Sequence, residues 1–291
     1  MTSTHTLHAI QSPTMPEKRT VTLKHPHGPL VVDVWEARQP SAAPPILLIH
    51  GWGGTGSYWQ DTARHLSATV RVIVPDLPGT GRSRPVRKPQ NMFDQVRSLR
   101  FVLDELHVDC VQVVGHSMGG AMAVLLADAQ PERVERLALT SLCFFMSGAQ
   151  EQMYKVAMGM FKVSLNFRPS WLASLPLVPQ LVATRYFHRV PDDAELLRQG
   201  LLDYLELDTG TAVACANDAP NPVITAAGSR LRQPTLLVAC RQDRVMPIDN
   251  VAFTVRTIPN AYVRWIDQCG HLPMVEKPAE YWAILHDFLQ L

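Results

Sequence analysis

The stretch Val111-Gln112-Val113-Val114-Gly115-His116-Ser117-Met118-Gly119-Gly120-Ala121 decides the reading of this chain. It opens on a largely apolar run, the mark of a strand buried on both faces. From Ala121 to Ala129 the sequence is Ala-rich and helix-forming. Between the two stands G-x-S-x-G, with Gly115 and Gly119 two residues either side of Ser117. A strand that turns sharply into a helix strains the backbone of the serine at the corner, and only small neighbours leave room for the crossing. Pattern and context together make Ser117 the candidate nucleophile.

A serine hydroxyl is a weak nucleophile at neutral pH and needs a base, itself oriented by a carboxylate. With this elbow the chain order is Ser, then Asp or Glu, then His. Asp243 follows the apolar run Thr235-Leu236-Leu237-Val238-Ala239, and His271 follows Tyr262 to Ile266 in Cys269-Gly270-His271-Leu272-Pro273. Both lie just beyond a strand's carboxyl end, where parallel sheets place their sites. Asp243 is the candidate acid and His271 the candidate base. The rival positions are weaker. Thr140-Ser141-Leu142-Cys143 offers no carboxylate, Asp249 reads as a helix cap, and Asp267 is too near His271 in sequence. A surface ion pair with Arg244 is the structural alternative for Asp243. Of 11 histidines, His5, His8, His25 and His27 fall in the tail and first hairpin, and His107 and His286 belong to helices. His116 sits beside the serine in a poor geometry for a base, and His50 reads as a structural hydrogen-bonding residue. The oxyanion of an acyl transfer needs fixed donors. One is the N–H of Met118; the other is placed at Trp52, in the glycine-rich loop His50-Gly51-Trp52-Gly53-Gly54.

Outward from the elbow, strands alternate with helices. Val21–Leu23 and Leu30–Trp35 read as a hairpin. Ile46–Ile49, Val70–Val74, Val134–Leu139 and the two runs named above are further strands, and Phe93–Leu106, Asn250–Thr257 and Ala279–Leu289 have helical spacing. That rhythm means βαβ units and a mainly parallel sheet of eight strands, covered by helices. Residues 1–18 read as a flexible tail, and 19–142 with 232–291 as the α/β core. Residues 143–231 form an insertion rich in Met, Phe and Pro, read as a helical cap broken by prolines.

Composition narrows the function. The 291 residues carry 27 basic and 26 acidic side chains, a formal +1, so the overall charge gives no footprint for nucleic acid or anionic membrane. No apolar run reaches the 18 or so residues that span a bilayer, and the first 17 residues hold no secretory apolar core. Five scattered cysteines with no CxxC speak against disulfides and structural zinc. Gly79-Thr80-Gly81 lacks the rest of a phosphate-binding loop. A cytoplasmic protein acting on a small apolar substrate, without metal or cofactor, is the expectation; its oligomeric state is left open.

The motifs His50-Gly51-Trp52-Gly53, Asp76-Leu77-Pro78-Gly79-Thr80-Gly81-Arg82-Ser83, Gly115-His116-Ser117-Met118-Gly119-Gly120, Asp243-Arg244-Val245-Met246-Pro247 and Gly270-His271-Leu272-Pro273-Met274-Val275-Glu276-Lys277-Pro278 stand in this order. Together they resemble the α/β-hydrolase superfamily over roughly Val21 to Leu291. The resemblance implies Ser117 as nucleophile, Asp243 as acid, His271 as base, a cap near 143–231, and no cofactor. Trp52 and Trp59 resemble the matching stretch of the carboxylesterases that demethylate pimeloyl-carrier-protein esters. Perhydrolases, meta-cleavage product C–C hydrolases and lactonases share nearly the same motifs, whereas epoxide hydrolases and haloalkane dehalogenases carry aspartate where this chain has Ser117. Cys240 stands where many relatives have glycine. The expected activity is serine-dependent cleavage of a carboxylic ester. The alternatives are C–C bond, thioester or lactone hydrolysis on the same residues, or a non-catalytic ligand-binding role.

Overall fold

The computed structural model describes residues 17–39 and 41–291, with residues 157–164 as backbone only. Of the tail read at 1–18, residues 1–16 therefore lie outside the described residues, and Lys18 opens the first strand. The strands are β1 (Lys18–His25), β2 (Gly28–Trp35), β3 (Ile46–Ile49), β4 (Val72–Pro75), β5 (Val111–His116), β6 (Val134–Thr140), β7 (Thr235–Cys240) and β8 (Ala261–Ile266). They form one sheet in the order β1-β2-β4-β3-β5-β6-β7-β8. β1 pairs antiparallel with β2, and β2 with β4; every other pair is parallel. The helices are α1 (Gln60–Leu66), α2 (Met92–Glu105), α3 (Met118–Ala129), α4 (Gly148–Ser164), α5 (Val178–Ala183), α6 (Ala194–Leu205), α7 (Thr209–Asp218), α8 (Pro222–Arg230), α9 (Val251–Thr257), α10 (Pro273–Glu276) and α11 (Pro278–Leu289).

The continuous apolar strands are explained by two cores, one on each face. Alternate residues point opposite ways along a strand. Leu47 and Ile49 of β3 join Val96, Leu99 and Leu103 of α2, the alanines of α3, and Ile224 and Ala227 of α8. Ile46 and Leu48 pack on the other face with Ala63 and Leu66 of α1 and Tyr281, Leu285 and Phe288 of α11. A strand in that position has no face left for polar residues. At the edges the demand relaxes: β8 alternates between half-buried and exposed residues up to a buried Ile266, and β1 is largely exposed.

Residues 143–231 contain α4 to α8 and no strand. Prolines mark the expected breaks: Pro179 lies in the first turn of α5 and Pro222 in that of α8, where a missing N–H costs nothing. The helical insertion is tied to the rest of the chain by polar contacts. Asp203 of α6 accepts from the hydroxyls of Thr55 at 2.8 Å and Ser57 at 2.7 Å. Among the described residues, no helix is long and apolar enough to cross a membrane.

Candidate active site

The elbow is built by close contact. Ser117 has φ 53° and ψ −121°, a conformation that non-glycine residues adopt only at a cost. α3 begins at the next residue, three earlier than the alanine run suggests, because the turn is completed within the serine itself. A Cβ on Gly115 would lie 2.5 Å from the carbonyl oxygen of Gly119, and one on Gly119 would lie 2.5 Å from those of Ile49 and His50. Those are backbone atoms of α3, of β3 and of the residue that follows β3, and cannot retreat. The N–H of Ser117 donates to the carbonyl of Thr140 at 2.8 Å, fastening the elbow to the end of β6.

Asp243 and His271 come from the loops after β7 and β8, which are neighbours in the sheet. Nδ1 of His271 lies 2.8 Å from Oδ2 of Asp243. The other carboxylate oxygen accepts the N–H groups of Val245 at 2.7 Å and Met246 at 3.0 Å. Burial opposes ionisation of Asp243, but His271 and these two donors outweigh it and hold its pKa below the ordinary value. The structure thus brings Asp243 to His271, while the guanidinium of Arg244 turns to the carbonyl of Thr184 at 2.9 Å. Asp267 is the exposed partner of Arg241, and Asp249 lies in a short 3-10 turn before α9. The loops of Asp243 and His271 are also laced directly: Gln242 N–H donates to Cys269 C=O, and Cys269 N–H to the Gln242 side chain, each at 3.1 Å. Cys240 and Cys269 are both fully buried, and the contact between their thiols raises the pKa of Cys240.

The loop of Trp52 reaches the elbow from β3. A Cβ on Gly51 would stand 3.1 Å from Cβ of Ser117, so glycine is what lets this loop close on the nucleophile. Met118 is the first residue of α3, and the first helical N–H groups have no acceptor inside the helix. The Trp52 indole donates to the carbonyl of Ala212 in α7 at 2.9 Å. His50 is buried, with Nδ1 donating to Gly51 C=O at 2.9 Å and Nε2 accepting from Leu77 N–H at 3.0 Å. Both of its ring nitrogens are thus engaged in structure. Beside the Trp52 loop lies a chamber of about 30 Å³, lined by Trp52, Met118, Met122, Leu207 and Cys215 among others. That is room for a water or two. A larger cleft of about 390 Å³ lies between Leu142–Phe145, α8 and Phe253 of α9.

Three residues bind the site together without any signature in the pattern that marks the elbow. The hydroxyl of Tyr58 accepts the N–H of Gly51 at 2.6 Å and lies 2.9 Å from Nδ1 of His116. Nε2 of His116 in turn lies 3.0 Å from the carbonyl of His271, which also accepts the Ser141 hydroxyl at 3.0 Å. Glu276 accepts three backbone N–H groups, from Gly270 at 2.7 Å, His188 at 3.1 Å and Arg189 at 2.6 Å. His271 N–H donates to Tyr186 C=O at 2.6 Å, so segment 186–189 of the helical insertion sits directly on the His271 loop. Glu276 lies in the downstream motif, but nothing in its spacing reveals what it holds. Among the described residues, no group of three or more His, Cys, Asp or Glu is placed to hold a metal.

The sheet order agrees with comparison to known proteins. Residues 44–278 match the family described as alpha/beta hydrolase fold. The chain belongs to that family. As an alpha/beta hydrolase it is 29% identical over 262 residues to a 2-hydroxy-6-oxononadienedioate/2-hydroxy-6-oxononatrienedioate hydrolase of Cupriavidus pinatubonensis, covering 86% of this chain and 88% of that protein. It is 28% identical over 261 residues to a 2-hydroxymuconate semialdehyde hydrolase of Pseudomonas putida, covering 84% and 86%. Among solved structures, a hydrolase from Pseudomonas aeruginosa superposes with a TM-score of 0.78 at 19% identity, covering 94% of this chain and 98% of that one. At that identity the likeness speaks for the fold alone.

Proposed function

We propose that this alpha/beta hydrolase cleaves a small, apolar carboxylic ester through an acyl-enzyme on Ser117, with residues 143–231 as the cap over the site. The observation that carries the reading is the pair Asp243–His271, joined at 2.8 Å, with both side chains at most 5% exposed, at the sheet edge that carries the Ser117 elbow. Asp243 holds Nδ1 of His271 as the donor, which leaves Nε2 to take a proton. His271 accepts the Ser117 proton as the hydroxyl attacks the ester carbonyl. The N–H groups of Met118 and Trp52 stabilise the oxyanion, and protonated His271 then delivers its proton to the departing alcohol. Water repeats the cycle on the acyl-enzyme, releasing the acid and restoring Ser117. No step calls on a metal or cofactor.

The test is hydrolysis of p-nitrophenyl esters from acetyl to dodecanoyl, wild type beside Ser117→Ala. Turnover by wild type and its loss by several powers of ten in the variant support the reading; equal turnover sinks it. The names of the two relatives above favour a second reading, hydrolysis of a C–C bond in a dienoate product of ring cleavage. A preparation inactive on every ester but active on a 2-hydroxy-6-oxodienoate, and dependent on Ser117, decides for that reading.

A further inference from the structure

The cap carries a surface that neither the chemistry nor the fold requires. Phe167 is 76% exposed, Trp171 57%, Leu177 73% and Leu181 72%, with Leu175 and Val182 beside them. All six fall between the end of α4 and the end of α5, within the short 3-10 turn Ser170–Ser174, α5 and the loops that join them. The inner side of this unit is already satisfied: Ala173, Leu172 and Val178 pack on Leu201 and Leu205 of α6. The outward side therefore presents large apolar groups to water by design of the sequence, at the loop tip Leu175-Pro176-Leu177 above all. Large contiguous exposed patches mark interaction sites.

Within the segment that carries the patch the charges are of one sign, with Glu151 at one end and Asp192 and Asp193 at the other. Residues 152–191 contain no Asp or Glu, but include Lys155, Lys162, Arg168, Arg185 and Arg189. In a chain of 27 basic and 26 acidic side chains that is a local segregation hidden by the near-zero total. Lys155, Arg185 and Arg189 are exposed. Arg168 spends its guanidinium on the carbonyls of Leu165, Tyr204 and Leu207 and the Thr209 hydroxyl. Of the acidic groups in adjoining elements, Asp193 caps α6, Glu195 pairs with Arg198 and Glu276 takes three backbone N–H groups, while Asp192 is exposed beside Arg189 in sequence.

We propose that this face docks on the anionic lipid–water interface of a membrane, Phe167, Trp171, Leu175, Leu177, Leu181 and Val182 entering the headgroup layer while Arg185, Arg189 and Lys155 meet lipid phosphates. An interfacial site of this kind combines aromatic and leucine anchors with Lys and Arg around them. A second copy of the chain fits less well, because it would set two cationic rims against each other. The position is informative for the active site. α5 runs into Thr184, whose carbonyl receives Arg244, and Tyr186, whose carbonyl receives the N–H of His271. Docking here holds the catalytic loops beside the layer in which an apolar substrate dissolves. The inference adds where the substrate is met and does not depend on which bond is cleaved.

The experiment is co-sedimentation of the full-length protein with large vesicles of phosphatidylcholine, or of the same lipid with a third replaced by phosphatidylglycerol. The protein is expected to sediment with the phosphatidylglycerol vesicles at low salt and to be largely released at ~0.5 M salt, where the Debye length falls to a few ångströms. Leu177→Ser/Leu181→Ser is expected to weaken partition at least about 10-fold. Lys155→Ser/Arg185→Ser is expected to weaken it about fivefold per residue on the anionic vesicles alone. All four side chains are exposed, so thermal melting verifies that the variants fold. Binding no stronger to anionic than to neutral vesicles overturns the proposal. So does a dimer in solution that Leu177→Ser/Leu181→Ser dissolves while wild type ignores lipid, an outcome that assigns the face to a second copy. Because sedimentation is read without turnover, failure here and failure of the ester reading are separate results.

Discussion

The hydroxyl of Tyr58 stands 2.9 Å from Nδ1 of His116, 58 residues away in sequence. Since that oxygen already accepts the N–H of Gly51, its own proton goes to Nδ1, and Nε2 of His116 must carry the hydrogen that reaches the carbonyl of His271. One chain of hydrogen bonds thus runs from the Trp52 loop through the elbow to the His271 loop, with every proton assigned. Burial first, then the neighbouring His271, push the pKa of His116 down to about 3, so the ring is neutral in the working enzyme. The residue next to the nucleophile is a fastening, which is why it is no candidate base.

Tyr58→Phe removes the acceptor of Gly51 N–H and the donor to His116 while keeping the ring. A buried donor left unpaired costs about 1–3 kcal/mol, so the melting temperature should fall. Loosening the Trp52 loop should also lower kcat, by up to about 10²-fold, with less change in KM. Steady-state kinetics and calorimetry on the one variant measure both, and an unchanged kcat would separate Tyr58 from the oxyanion loop.

The depressed pKa of His116 has a stability consequence. Between its ordinary 6.5 and about 3 the unfolded chain holds a proton at this residue that the folded chain does not. Stability therefore rises with pH across that window, by up to about 1.4 kcal/mol per unit, and falls on acidification. His116→Asn should flatten that slope. Urea unfolding of both proteins at a series of pH values checks it; parallel curves would place the acid sensitivity elsewhere.

Asp243→Asn keeps the size of the side chain and removes the charge that orients His271. Turnover is expected to drop by about 10⁴, the scale known for this change in a serine-protease triad, with little loss of fold. Because His271 and two backbone donors hold the pKa of Asp243 below the ordinary carboxylate value, no titration of this group should appear in the wild-type rate above about pH 4. A loss of less than tenfold would remove Asp243 from the mechanism.

Glu276→Ala strips the acceptor from three backbone N–H groups at once, on Gly270 and on cap residues 188 and 189. The expected loss is more than about 2 kcal/mol, with Glu276→Gln intermediate because one carbonyl oxygen remains. Hydrogen exchange should show Gly270 and residues 188–189 loosening together. Exchange confined to one of the two segments would mean they are not coupled through Glu276.

Most of the sheet could be read directly. Ile46–Ile49 agrees residue for residue, because a strand buried on both faces must be apolar throughout, and the runs read from 111, 134, 235 and 262 are one or two residues longer in the fold. α2 begins where Asn91 and Asp94 form a capping box, one residue before the apolar spacing starts. α1 has no such signal. In Gln60–Leu66 only Ala63 and Leu66 are apolar, and the helix exists because they find a place in the core with Trp59 and Tyr281. The insertion reads as proline-broken helices, and the prolines do open α5 and α8. Which face of each looks outward follows from contacts with α6 and α3 that no local pattern encodes.

The local chain was enough to determine the elbow, since its constraint is steric and acts within a few residues: Gly115 and Gly119 are required by atoms 2.5 Å away. It also determined the order of Ser117, Asp243 and His271, because each candidate follows a strand end that is legible on its own. Only the folded molecule decided that β7 and β8 lie side by side, so that a carboxylate and an imidazole 28 residues apart meet at 2.8 Å. It alone decided that Tyr58, His116 and Glu276 hold the site together, and that the apolar residues of 167–182 face outward. Those outcomes rest on burial and pairing between segments far apart in the chain, where many sequences would serve and none advertises its partner.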